Sequence, residues 1–185
     1  MSAKKLATFG LLTAVALVLS YIDRLFPLDF IAPGIRLGLG NTVLLFAVYL
    51  MRPGDAVALM GLKVTVTSLL FGFASFPYSL AGGVMSLAAM LLGHRMKLGC
   101  VTVSILGGTL HNVGQALMAA LLTTPLILLT FLPALLLFGV IMGLATGLVA
   151  KYAMRALAQA DKTWLPSASD TDMKKQAKSK GTDEP

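Results

Sequence analysis

Charge is scarce in this chain. Lys, Arg, Asp and Glu make up 12% of its 185 residues, hydrophobic residues make up 57%, and the mean hydropathy is +0.84. A water-soluble domain carries about 25% charged residues. Half that share is too little to coat an aqueous surface, which excludes a soluble enzyme. Cysteine is nearly absent: the single Cys100 excludes a disulfide framework and any cysteine-based zinc or iron–sulfur site. Its apolar surroundings make it a packing residue. Residues 98–150 contain no Lys, Arg, Asp or Glu, and no carboxylate is expected within any apolar run. A serine hydrolase, a carboxylate-based proton relay and a magnesium-dependent prenyl transferase each lose their acidic partner. No Walker lysine follows the glycines around Leu37. No cofactor and no metal ion is expected, and the residue inventory supports no catalysis.

What remains is a series of apolar runs. Residues 6–22 carry no charge and follow Lys4 and Lys5. A signal peptide looks similar, but Val18-Leu19-Ser20 is a poor cleavage site and more apolar segments follow, so this is a first transmembrane helix that stays. Residues 23–36 are polar and include Pro27 and Pro33. A second run covers 37–51, Arg52-Pro53-Gly54-Asp55 makes a turn, and a third run covers 56–73 with Lys63 inside it. Ser75-Phe76-Pro77-Tyr78 marks the next turn, and a fourth run ends near Leu92 at the basic loop Gly93-His94-Arg95-Met96-Lys97. The uncharged stretch is too long for one crossing of about 20 residues. It folds back at Thr123-Thr124-Pro125, leaving a fifth run up to Leu122 and a sixth from Leu126 to about Tyr152. The expected fold is an all-α integral membrane protein, with six transmembrane helices over residues 1–155. A polar, disordered tail follows over 156–185.

The net charge of +7 looks like a nucleic-acid signature until its placement is considered. With the N-terminus inside, every Lys and Arg falls on the inner side except Arg24, Arg36 and Lys63, which fits the positive-inside rule. Both termini are therefore expected in the cytoplasm of a multi-pass protein of the cell membrane, with lipid and not nucleic acid as its surroundings. The tail lysines are diluted by acids and read as solvated, and Trp164 suits the headgroup level.

Hydrocarbon offers no hydrogen bonds, so an ionisable residue inside a span points to function. Lys63 sits about eight residues into the third run, roughly 10 Å from its inner end. Without an internal carboxylate it snorkels to the headgroups, is held by carbonyls and amides, or meets an anionic ligand. Asn41 lies just below the outer end of the second run, and His111, Asn112 and Gln115 lie in the outer half of the fifth. His111 and Gln115 are four apart and Asn112 and Gln115 three apart, so each pair adjoins on the helix surface. An interhelical hydrogen bond would account for His111 alone; the neighbouring amides concentrate polarity beyond that. The segment 23–36 carries Asp23, Arg24, Asp29 and Arg36 among Phe26, Phe30 and Ile31. It is either a solvated loop or a lid over an outer polar pocket, the geometry of a small-solute site. Gly139, Gly143 and Gly147, at four-residue spacing, permit close approach of another helix.

Three stretches occur in order: Pro33-Gly34-Ile35-Arg36-Leu37-Gly38-Leu39-Gly40-Asn41, Ser79-Leu80-Ala81-Gly82-Gly83 and His111-Asn112-Val113-Gly114-Gln115. They resemble the motifs of the Gx transporter family, also known as heptaprenyl diphosphate synthase component I, over about residues 6–152. That family is similar in turn to the substrate-binding S components of energy-coupling-factor (ECF) transporters. These are six-helix membrane proteins that capture vitamins or related small molecules from outside. The resemblance implies that the first motif enters the second helix and that the third lines the central space. It also implies that Lys63 stands where the family often has Arg, and Gly40 where it often has Ala. Lysine lacks the bidentate fork of arginine. As partners the resemblance implies ECF-type transmembrane and ATPase subunits, against which small residues of the first helix (Ala3, Ala7, Gly10, Ala14) would pack.

The leading expectation is a membrane-embedded, S-component-like subunit for uptake of a small vitamin-like or precursor solute, anionic or polar. Its substrate contacts would come from Arg36, Asn41, Lys63, His111, Asn112 and Gln115. The alternative is a membrane accessory subunit for polyprenyl (heptaprenyl) diphosphate or quinone synthesis, working with a soluble prenyl transferase. The topology is directly testable. A C-terminal green fluorescent protein fusion is expected to fluoresce and a C-terminal alkaline phosphatase fusion to be inactive; the opposite pair of results would place the tail outside.

Overall fold

The computed structural model describes residues 3–25, 38–122 and 125–160. Among the described residues it is helical without strands. The helices are α1 (Ala3–Leu25), α2 (Asn41–Leu50), α3 (Pro53–Phe71), α4 (Phe76–Arg95), α5 (Cys100–Leu122) and α6 (Pro125–Ala160), with a 3₁₀ turn at Phe73–Ser75 before α4. Five helices are long and apolar enough to cross a membrane. The expected lid beyond Leu25, the fold-back at Thr123-Thr124 and the tail beyond Ala160 lie outside the described residues.

Local chemistry explains where the helices begin. Pro53 sits in the first turn of α3, where its missing N–H costs nothing and its fixed φ suits the helix. The expected turn at 52–55 thus shrinks to Met51 and Arg52, and α3 starts before Ala56. Lys63 is correspondingly close to the midpoint of α3. At the other end of the chain α6 is 36 residues long with Pro133 inside it, and it continues past Arg155, where the polar tail was expected to begin.

α2 differs from the rest. Its 10 residues span about 15 Å, half of the roughly 30 Å hydrocarbon thickness. It touches every other helix of the bundle. Asn41, Thr42, Val43, Leu44, Leu45, Ala47 and Val48 are all buried, and the apolar five of them form the core with Ala16, Leu59, Met90, Val103 and others. Around it the distribution of polarity is inverted relative to a soluble protein. Leu6, Leu69, Leu121 and Val149 are exposed, whereas Asp23, Asn41, Lys63, His111, Asn112 and Gln115 are buried. An apolar solvent outside and polar partners inside give this arrangement.

The glycine spacing on α6 does what its periodicity suggests. A Cβ on Gly139 would lie 2.7 Å from Thr109 Cα, one on Gly143 2.6 Å from Ile105 Cα, and one on Gly147 3.0 Å from Val101 Cα. α5 and α6 therefore touch backbone to backbone. A methyl at Gly143 has only main chain to displace, so Gly143→Ala is expected to cost about 1–3 kcal/mol of stability. Gly61→Ala, whose Cβ would meet nothing within 4 Å, is expected to be neutral or slightly stabilising. Thermal unfolding of the two purified variants checks the contrast.

Candidate functional site

The polar interior is assembled around the start of α2, and α1 supplies its first members. The buried residues of α1 are Phe9, Thr13, Ala16, Ser20 and Asp23, three or four apart along one face. Asp23 corrects the expectation that no carboxylate lies within a span. α1 runs on to Leu25, and Asp23, 4% exposed, is inside it. Its Oδ2 accepts the backbone N–H groups of Gly38 at 2.9 Å and Leu39 at 3.1 Å. Such charge-assisted bonds make burial of a carboxylate tolerable. Beside it, the Arg24 guanidinium lies 4.4 Å over the Phe71 ring, a cation–π contact.

The same two residues lead into α2. Gly38, with φ of 79°, takes a left-handed conformation that side chains resist. Its carbonyl accepts Asn41 N–H at 2.8 Å, and that of Leu39 accepts Thr42 N–H at 3.0 Å. Gly40 is the N-cap and offers no side-chain cap. The positive end of the α2 dipole consequently terminates inside the protein, with Asp23 beside it.

Lys63 reaches this end from α3. It is 9% exposed, and its Nζ donates to Asn41 Oδ1 at 2.8 Å. Of the fates open to this lysine, an amide contact is formed. Snorkelling is excluded because Lys63 is about 15 Å from the start of α3, beyond the reach of its stem. Gly40 makes the approach possible: a Cβ there would lie 2.6 Å from Ser20 Oγ and 3.0 Å from Lys63 Cε.

α5 completes the cluster. His111 and Gln115, one turn apart, both lie against Gly82 of α4, where a Cβ would fall 2.7 Å from His111 Nδ1 and 2.9 Å from Gln115 Cγ. The His111 ring also reaches Gly38, whose absent Cβ would lie 3.3 Å from its Cδ2 and 3.1 Å from Asn41 Nδ2. Asn41, Lys63, His111 and Gln115 are thus brought together. Asn112 points elsewhere, and its Nδ2 donates to the Leu135 carbonyl of α6 at 2.9 Å, tying two helices. Arg36 lies outside the described residues.

Below the cluster a small cavity opens between α2, α4, α5 and α6, lined by Gly38, Asn41, Met90, Ser104, Met142 and Thr146 among others. A water centre can move over about 10 Å³ of it, room for about one water molecule. Ser104 and Thr146 hydroxyls meet at 3.1 Å on its wall. Neither these hydroxyls nor Ser20 and Asp23 stood out in the sequence as site residues. Thr13, Ala16 and Ser20 recur at helical spacing within the first run, whereas Asp23 falls just after it. Ser104 and Thr146 carry no such signal, since each is an isolated hydroxyl in an apolar run. Chemically the cluster combines an ammonium, an imidazole, two amides and a helix N-terminus, groups able to donate hydrogen bonds to a polar or anionic ligand. Among the described residues no three His, Cys, Asp or Glu side chains come together as a metal site.

The Lys63–Asn41 bond is expected to show strong coupling. Lys63→Met leaves Asn41 Oδ1 buried without this donor, a loss of about 1–3 kcal/mol. Lys63→Met with Asn41→Leu removes both groups and is expected to recover part of that loss. A double-mutant cycle from thermal or denaturant unfolding checks it, and additive effects would show that the bond contributes little.

No curated protein and no solved structure matches the chain. The family model described as heptaprenyl diphosphate synthase component I matches residues 12–153, a stretch that holds α2 to α5 complete and every described residue of the cluster. On that match over most of its length, the chain belongs to the heptaprenyl diphosphate synthase component I family.

Proposed function

We propose that this protein is a membrane-embedded substrate-binding subunit for uptake of a small vitamin-like or precursor solute. The observation that carries this reading is the convergence of Asn41, Lys63, His111 and Gln115 on the N-terminus of a half-length helix at the centre of the bundle. Helices that end inside a membrane protein put dipole ends and unsatisfied backbone where a solute can use them, a device shared by many transporters. A protein needing only stability in lipid is better served by apolar packing at this spot, because a buried ion pair or ammonium is costly. The proposal includes six membrane helices with both termini inside, α2 being the short one. Arg36, two residues ahead of Gly38, is a proposed further contact. Asn112 holds α5 to α6 behind the site. The resemblance to ECF S components suggests coupling to transmembrane and ATPase subunits.

The family's description favours a second reading, a membrane component that assists a polyprenyl diphosphate synthase. The two are separated by a ligand screen on the purified full chain in detergent. Vitamins, their precursors and prenyl diphosphates are scored by thermal shift. For the uptake reading, a vitamin-like compound at a hundredfold excess over its Kd is expected to raise Tm by roughly 5–10 °C. The shift is expected to vanish in His111→Ala and Gln115→Ala. Stabilisation by prenyl diphosphates alone would overturn uptake in favour of the second reading.

A further inference from the structure

The hydrogen bond between Lys63 and Asn41 has an orientational consequence. An ammonium can only donate, so Asn41 must turn its carbonyl oxygen toward Lys63 Nζ. Its Nδ2 is thereby turned the other way, toward the space left by the absent side chain of Gly38 and into the cavity bounded by Ser104, Thr146 and Met142. Asn41 is 3% exposed, and among the described residues Nδ2 has no acceptor. A buried donor without an acceptor costs about 1–3 kcal/mol and marks a missing partner.

The surroundings specify that partner's charge. The missing group must be an acceptor, because Nδ2 only donates. It would sit at the positive end of the α2 dipole and beside the Lys63 ammonium, both of which favour negative charge. Asp23 already occupies the neighbouring N–H groups of Gly38 and Leu39, which leaves Asn41 Nδ2 as the donor still open to an arriving group. The cavity as it stands holds about one oxygen atom. Its wall at Gly38 has no side chain, and Met90 and Met142, whose unbranched side chains adapt readily, form part of the rest.

We infer that the solute carries a carboxylate or phosphate group, and that this group docks at the start of α2 on Asn41 Nδ2, with the Lys63 ammonium on the far side of the Asn41 amide. The inference rests on the uptake reading and narrows it to anions. It also assigns Asn41 the role of charge discriminator, since Asn41 decides whether the cavity offers a donor or repels an anion.

The test uses pairs of compounds that differ only in this group: carboxylate vitamins or precursors against their primary amides, and phosphate monoesters against the free alcohols. Affinities are measured by thermal shift and by calorimetry on the full chain in detergent, at matched ionic strength. The anionic member of a pair is expected to bind at least about tenfold more tightly than its neutral partner. Asn41→Asp keeps an acceptor for Lys63 and nearly the same shape but replaces the donor with a negative oxygen. It is expected to fold with a Tm close to that of the parent and to lose at least about tenfold in affinity for the anion. The anion's advantage over its neutral partner is expected to shrink in the same variant.

Neutral or cationic compounds that bind through His111 and Gln115, with no advantage to anions, would overturn the inference and leave the uptake reading intact. Anion binding unchanged in Asn41→Asp would also overturn it, leaving the cavity as the seat of a water molecule. A screen in which only prenyl diphosphates bind, with affinity unaffected by His111→Ala, would overturn the uptake reading itself.

Discussion

A lysine halfway along an apolar helix has to be satisfied by the protein that surrounds it, and for Lys63 the satisfying atom is Asn41 Oδ1. Much of the architecture follows from that demand. Asn41 can meet Lys63 only if α2 begins in the interior, so α2 is short. It can begin there only if its opening backbone groups are satisfied without water, which the carbonyls of Gly38 and Leu39 and the carboxylate of Asp23 accomplish. The approach of the ammonium to the helix start then requires a residue without a side chain, and Gly40 fills that place. One buried charge thus dictates the length of a helix, the burial of a second charge and the identity of a small residue.

The bundle handles its two solvents separately. Toward lipid it presents leucines, valines and isoleucines from α1, α3, α4, α5 and α6, and the polar side chains turn toward the short helix. This is why α2, apolar though most of it is, contributes no large exposed hydrophobic residue. Its apolar side chains pack against other side chains, and its polar end meets theirs. Apolar packing and polar clustering are thus divided between the two ends of one element.

Much of this was legible in the sequence because the relevant signals are local. Hydrophobic run lengths gave the helices, and the i, i+4 spacing of His111 and Gln115 placed them on one face, as Gly82 confirms from the opposite helix. The glycine spacing on α6 reported its seam with α5. Other features were illegible for stated physical reasons. Asp23 follows an uncharged run and precedes prolines, so it reads as connector; only the tertiary approach of Gly38 and Leu39 makes a helical, buried carboxylate acceptable. Asn112 has the same chemistry as its neighbours, and one hundred degrees of helical rotation per residue sends it to α6 instead. Lys63 stands further along its helix than the run boundary at Ala56 suggests, because Pro53, a breaker in most positions, starts a helix in this one.

The seam between α5 and α6 has a mechanical corollary. Main chain pressed on main chain at Gly108, Gly139 and Gly143 cannot slide past itself without first separating. α4 packs along α5 nearly as extensively as α6 does, while α1 and α3 are held far more loosely. The molecule therefore divides into a stiff three-helix frame and a softer flank, with α2 wedged between them. Relative movement of the helices is thus least costly on the side of α1 and α3, with the glycine-zipped pair as the fixed part.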